Sequence, residues 1–208
     1  MLRGRVSRRK RSEKVYSFGP VRASLGRREE VVLARRLSAS RRAQILEAAL
    51  GMFSERGYEG TPLSAIAEEV GLSKPGIVHH FPHKDDILEA LFGPVFGEVE
   101  ALLEGRPGRE ELLEGYLEII LRNRRLTVLL ATDLAILNRP RIGERVCALN
   151  LRLRVALAGP GSTLEEEMRA ECALGALRSP VVFFPEADPG LVRRVALEAA
   201  RRVLGAGR

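Results

Sequence analysis

The chain has 208 residues, 45% of them hydrophobic and 29% charged, which is the balance of a globular protein with a real core in one domain or two. No apolar run approaches the roughly 18 to 20 residues of a membrane span, and no apolar segment follows the charged N-terminus, which argues against a membrane protein and against secretion. The two cysteines, Cys147 and Cys172, fall in separate helical patterns without metal-ligand spacing, so a reducing cytoplasm suits them better than a disulfide framework.

The net charge of +7 is unevenly distributed. Residues 1–40 hold 12 Lys and Arg against 3 acidic residues, residues 41–92 hold 5 against 8, and residues 93–208 hold 17 against 16. The excess therefore belongs to an N-terminal arm, residues 1–38, which lacks sustained periodicity apart from a short stretch near Glu29 to Leu37 and is expected to be largely disordered. A later start at Val31, Val32 or Leu33 would leave residues 1–30 out of the product, and that alternative stays open. Only 4 of the 34 basic residues are Lys, which speaks of a GC-rich genome rather than of function.

Regular structure is expected from residue 39. Ile45, Ala48, Ala49, Met52 and Phe53 draw one apolar stripe along a helix that stops at Gly57. Thr61 is a candidate N-cap for a second helix, with Pro62 at its first position and Leu63, Ile66, Ala67 and Val70 as its stripe up to Gly71. Ser73 is the next N-cap, Leu72 can staple onto Ile77, and the third helix ends near Phe81-Pro82. Two short helices around a glycine turn form a helix-turn-helix, whose second helix can enter a DNA major groove, although any small helical bundle contains such corners.

The segment from Ile45 to Phe92, ILEAALGMFSERGYEGTPLSAIAEEVGLSKPGIVHHFPHKDDILEALF, resembles the DNA-binding domain of the tetracycline-repressor (TetR) family. The likeness lies in many small features at fixed spacing: Ala48-Ala49, Phe53, Gly57-Tyr58, Thr61, Ile66-Ala67, Gly71-Leu72-Ser73, His80-Phe81 and Lys84. It covers about a quarter of the chain. The resemblance implies a transcription regulator, in this case a repressor, in which Thr61 and Lys84 contact phosphates of double-stranded DNA and the third helix reads bases through Lys74, Gly76, Val78 and His79. Ser73 and Arg42 complete the expected DNA-binding set, with Arg35, Arg36 and Arg41 leading into the first helix. Three positions depart from the family pattern. Val78 stands where Tyr is usual, Pro75-Gly76 where Gly-Thr is usual, and His83 where Ser or Asn precedes the lysine, so base readout by this helix is expected to be poor in hydrogen bonds.

From Asp85 onward the periodicity is helical throughout, giving an all-α chain with a helix-turn-helix domain at 39–84 and a helical effector-binding and dimerisation domain at 85–208. A fourth helix begins with Ile87, Leu88, Leu91 and Phe92 and meets Pro94, where a kink or a break is expected. Further stripes occupy 109–123, 126–137, 141–158, 163–180 and 189–204. Ser162 to Glu165 has the capping-box pattern, and Asp188-Pro189 an N-cap with Pro behind it. Small residues Ala173 and Ala176 on one of the last two helices, and Ala196 and Ala199 on the other, suit close approach. The resemblance implies that these two helices form a homodimer interface, the alternative being an ordinary intramolecular pair.

An apolar pocket for a small-molecule effector is expected among Phe96, Val99, Tyr116, Ile120, Leu130, Leu134 and Val146. Arg122, Arg124 and Arg125 could meet an anionic ligand or simply favour a helix end. No cofactor is expected. His79, His80 and His83 are read as core and DNA-contact residues rather than a metal site, because Pro82 separates them. No catalytic constellation, phosphate loop or dinucleotide glycine pattern is present, which leaves a DNA-binding regulator without an effector as the alternative function.

Overall fold

The computed structural model describes residues 27–205, with side chains from residue 37 onward. Residues 1–26 of the basic arm, including the questions of its disorder and of a later start, lie outside the described residues. Two units divide the chain after Ser38. In the first, residues 27–38 are helical, so the expectation of an irregular arm up to residue 38 is corrected for this stretch. Ten helices and no strand occur among the described residues.

The head is built from the part of α1 (Arg27–Arg56) that follows Ser38, with α2 (Leu63–Glu69) and α3 (Lys74–His80). Ile45, Ala49, Met52 and Phe53 are buried along α1, and Ile66, Ala67, Ile77 and Phe81 close over them. Full burial of such side chains contributes roughly 1.5 to 3 kcal/mol each, which is what holds two seven-residue helices too short to persist alone. Gly71 takes φ 67° and so reverses the chain between α2 and α3, a conformation that costs glycine no Cβ clash. The α2 start differs from expectation. Its N-cap is Pro62, without a side-chain cap, and not Thr61.

The body comprises α4 (Lys84–Glu104), α5 (Arg109–Arg122), α6 (Arg124–Thr132), α7 (Leu134–Leu137), α8 (Pro140–Ala158), α9 (Leu164–Phe183) and α10 (Pro189–Gly205). The fourth helix passes through Pro94 without interruption, with Gly93 and Gly97 on either side of it open to space. The stripe expected as one helix over 126–137 is two. Asp133 stands between them with φ −110° and ψ 94°, accepting from Ala135 N–H at 3.0 Å as the cap of α7. Where α7 comes back onto α8, a Cβ on Gly143 would sit 2.1 Å from the Leu137 carbonyl oxygen, so only glycine permits that approach.

α9 packs against α5, α6, α8 and α10. Its capping box is shifted by one residue from expectation: Thr163 is the N-cap and Glu166 its partner, with Thr163 N–H donating to Glu166 at 2.8 Å. Asp188 caps α10, accepting from Leu191 N–H at 2.9 Å. Ala170, Ala173, Ala196 and Ala200 are fully buried where α9 meets α10 within one protomer. That corrects Ala173 and Ala196 as surface for a partner: their small side chains serve an intramolecular approach. Ala176 and Ala199 are half-buried at its margin.

Candidate functional site

Ser73 caps α3, its hydroxyl accepting from Gly76 N–H at 3.3 Å. With Ile77 buried beneath, the outward surface of α3 is made by Lys74, Pro75, Val78 and His79, all exposed. Gly76 is half-buried beside them, and a Cβ there would lie 3.3 Å from Ser73 Oγ and in ordinary contact with Leu72. His80 turns inward, and burial holds its imidazole below its ordinary pKa.

Three of the expected backbone-contact residues are engaged inside the head. Thr61 is fully buried and its hydroxyl donates to the Gly57 carbonyl at 2.8 Å, tying off the end of α1; it is not free for phosphate. Lys84 folds back, its Nζ donating to the Tyr58 carbonyl at 2.7 Å and lying 3.9 Å from the centre of the Tyr58 ring, and burial lowers its pKa. The ammonium thus braces the turn before α2 while remaining partly exposed. Arg42 stays exposed but donates to the His80 carbonyl at 2.9 Å and stacks 4.0 Å over the Phe81 ring, where it braces the C-terminus of α3.

A polar latch joins head to body. Tyr58 O–H donates to Asp85 Oδ1, and Asp85 Oδ2 accepts from Arg139 Nη2 at 2.7 Å and Nε at 3.1 Å. The backbone N–H of Tyr58 donates to Asp133 Oδ2 at 2.6 Å. Burial and the adjoining Asp85 push the Tyr58 phenol well above its ordinary pKa. Burial would raise Asp85 too, but the hydrogen bonds from Arg139 and Tyr58 outweigh it and hold the carboxyl below the usual carboxylate range. Further along α4, Glu89 pairs with Arg141 at 2.7 Å and Glu100 with Arg145 at 2.7 Å, so ion pairs lace one side of α4 to α8.

Between α4, α5, α6, α8 and α9 lies a cavity of about 270 Å³. Phe96, Val99, Tyr116, Ile120, Leu130 and Val146 line it. Leu134 does not: it is 69% exposed at the start of α7, because the break at Asp133 rotates it out of the α6 stripe. The three arginines weighed for an anion are also elsewhere. Arg122 pairs with Glu98, Arg125 with Glu47, and Arg124 donates to the Pro185 and Ala187 carbonyls at 2.6 and 3.0 Å.

Sequence reasoning missed Arg178, which reaches the cavity wall from α9. Its Nε donates to Tyr116 Oη at 2.8 Å and its Nη2 to Asn150 Oδ1 at 2.5 Å. A signal existed: Arg178 is the one charged residue in the run from Cys172 to Phe184.

Residues 45–91 match the model of the family described as bacterial regulatory proteins, tetR family. Over 172 residues the chain is 29% identical to the HTH-type transcriptional regulator TtgR of Pseudomonas putida, covering 74% of this chain and 79% of that one. It is 45% identical over 51 residues to the HTH-type transcriptional repressor AcnR of Corynebacterium diphtheriae, a match to 24% of this chain that spans about a quarter of that repressor, 27%. The crystal structure of a TetR-like transcriptional regulator from Rhodococcus sp. RHA1 superimposes with a TM-score of 0.62 at 26% identity, over 81% of this chain and 97% of that one. A capped recognition helix on a short helix-turn-helix, carried by an all-helical body, thus has the same order of parts in sequence and in space. Residues 45–91 form a helix-turn-helix domain of the tetR family of bacterial regulatory proteins, and the chain as a whole is similar to transcription regulators that carry this domain.

Proposed function

We propose that this regulator is a cytoplasmic repressor that occupies a palindromic operator in double-stranded DNA as a homodimer and is released when a small apolar ligand fills the cavity of the body. The observation that carries this reading is the position of α4. Its first turn is held to the head through Asp85 and Tyr58, and Phe92, Phe96 and Val99 of the same helix line the cavity. A ligand that fits one setting of α4 against α8 shifts the population of head positions, and the coupling must run equally in both directions.

The exposed surface of α3 supports contact by Lys74, Val78 and His79, with Lys74 as its one permanent cation and Val78 suited to a thymine methyl group. Ser73 acts by capping. For the dimer, the exposed apolar side chains of the last two helices support a face made by Leu164, Met168 and Phe183 on α9 and Leu191 and Val195 on α10, with Ala176 and Ala199 at its edge. Two copies joined there would present two recognition helices to half-sites about 34 Å apart. No described helix is long and apolar enough to cross a membrane.

The test is an operator selected from random duplexes, followed by binding measurements with and without cavity ligands. Operator and ligand are expected to weaken each other by the same factor, roughly 5- to 150-fold. Asp85→Asn, which loosens the latch, is expected to reduce that factor while each partner still binds alone. Operator and ligand binding together with no mutual effect would replace this reading with a regulator that has no effector.

A further inference from the structure

We propose that the cavity takes a small carboxylic acid with an apolar tail of medium length, its carboxylate held by Arg178, Tyr116 and Asn150. The proposal rests on the reading of the cavity as an effector site. Its basis is the hydrogen-bond polarity of the wall. Arg178 donates to both oxygens available beside it, Tyr116 Oη and Asn150 Oδ1. Each of those oxygens already accepts one bond, so what the cluster offers most is donors: the Tyr116 O–H, the Asn150 Nδ2 hydrogens and further guanidinium N–H groups. Thr127, the other polar lining residue, already directs its hydroxyl at the Asn123 and Ile120 carbonyls on its own side of the wall. A ligand group meeting Arg178, Tyr116 and Asn150 is therefore matched best as a hydrogen-bond acceptor.

Charge narrows the class from acceptor to anion. The Arg178 side chain is only 25% exposed, and its hydrogen-bond partners are neutral. Glu171, the carboxylate nearest to it, is half-exposed and 3.7 Å from Nη1, beyond hydrogen-bond distance. The carboxylates of α4 and α5 around the cavity are matched elsewhere, Glu98 to Arg122, Glu100 to Arg145 and Glu118 to Arg193. The ion pair with Glu171 is long and holds Nη1 alone, so a ligand carboxylate would supply a closer acceptor in the planar geometry that guanidinium favours. Aliphatic and phenyl side chains form the rest of the wall, which suits the tail. At about 270 Å³ the space lies just below the usual range of ligand pockets, roughly 300 to 1,000 Å³, which suits a tail of at most medium length.

The experiment uses the full chain and the neutral fluorophore N-phenyl-1-naphthylamine as a reporter of cavity occupancy, displaced by octanoate, decanoate, octan-1-ol or octanamide. Octanoate is expected to bind on the order of tenfold more tightly than octan-1-ol, the effect of a charge-assisted hydrogen bond. Arg178→Gln is expected to erase that advantage without weakening the alcohol, Arg178→Lys to restore part of it, and Tyr116→Phe to cost several-fold on the carboxylates alone. If the alcohol matches the acid, or if Arg178→Gln and Tyr116→Phe weaken both alike, Arg178 is a tether between helices and the proposal is overturned. If the fluorophore enters but no carboxylate displaces it, the proposal falls while the effector reading stands. If neither the fluorophore nor any of the four compounds binds, the effector reading falls and takes the proposal with it.

Discussion

Two regions of this chain use a tyrosine beside an arginine for different ends. At the head–body junction Tyr58 and Arg139 converge on the carboxylate of Asp85, and Asp133 takes the neighbouring backbone N–H, so charge and hydrogen bonds are matched inside the protein. At the cavity Arg178 donates to two neutral oxygens, Tyr116 Oη and Asn150 Oδ1, while its carboxylate partner Glu171 stands off at 3.7 Å. A carboxylate in hydrogen-bond contact at one site, and at a distance in the other, separates a structural joint from the wall proposed to receive an anion. The same contrast between groups satisfied within the protomer and groups left open recurs between α9 and α10, where Ala173 and Ala196 are sealed in while Met168 and Val195 are exposed.

The largest expected effect comes from breaking a sealed position. Ala196→Glu would bury a charge without a partner, which costs several kcal/mol and should abolish folding by circular dichroism. Met168→Lys combined with Val195→Lys should leave the helices intact and shift the sedimentation coefficient to that of a monomer. A folded Ala196→Glu monomer would show that α9 and α10 open toward a partner after all.

Next is the latch. Asp85→Ala leaves the Tyr58 hydroxyl and the Arg139 guanidinium without their acceptor, and roughly 1 to 3 kcal/mol should be lost in chemical denaturation. Asn150→Ala at the cavity should cost less, because it removes no charge. Equal losses at the two sites would erase the distinction between joint and wall.

Acid should separate the same two regions. The Asp85 carboxyl is held below its unfolded value of about 3.9, so its contribution is fully present above that pH and is lost as pH falls through the lower folded value. Wild-type protein and Asp85→Asn should therefore differ in unfolding free energy by a constant amount between about pH 5 and 7 and converge below about pH 4. A difference that grows as the solution is acidified would contradict the assignment. Carboxylate binding at the cavity, measured above pH 5, should be unaffected by the Asp85 substitution in the free protein.

The smallest effect tests the engaged hydroxyl of the head. Thr61→Val should cost about 1 kcal/mol of stability and leave the salt dependence of operator binding unchanged, since the hydroxyl is bonded to the end of α1. A flatter dependence of log affinity on log salt would return Thr61 to the phosphate backbone.

Much of the architecture was legible because helices are local. The stripe through Ile45, Ala49, Met52 and Phe53, the turn at Gly71, the cap at Ser73 and the start of α10 at Asp188 all follow from residues within a turn or two of one another. The family likeness is local in the same sense, since its matched residues form one continuous segment. Six of the residues expected around the pocket do line it, each on a helix whose inward face the periodicity had already marked. What only the tertiary structure decided lies in partners far apart along the chain. Asp133 breaks a continuous apolar stripe to meet Tyr58, 75 residues away, and Arg139 finds Asp85 across 54. Arg178 meets Tyr116 across 62 residues, and Lys84 turns inward to a carbonyl 26 residues back. No periodicity registers such pairs, because a polar side chain near an apolar face has the same spacing whether it faces water, phosphate or a buried acceptor, and only packing determines which of these it meets.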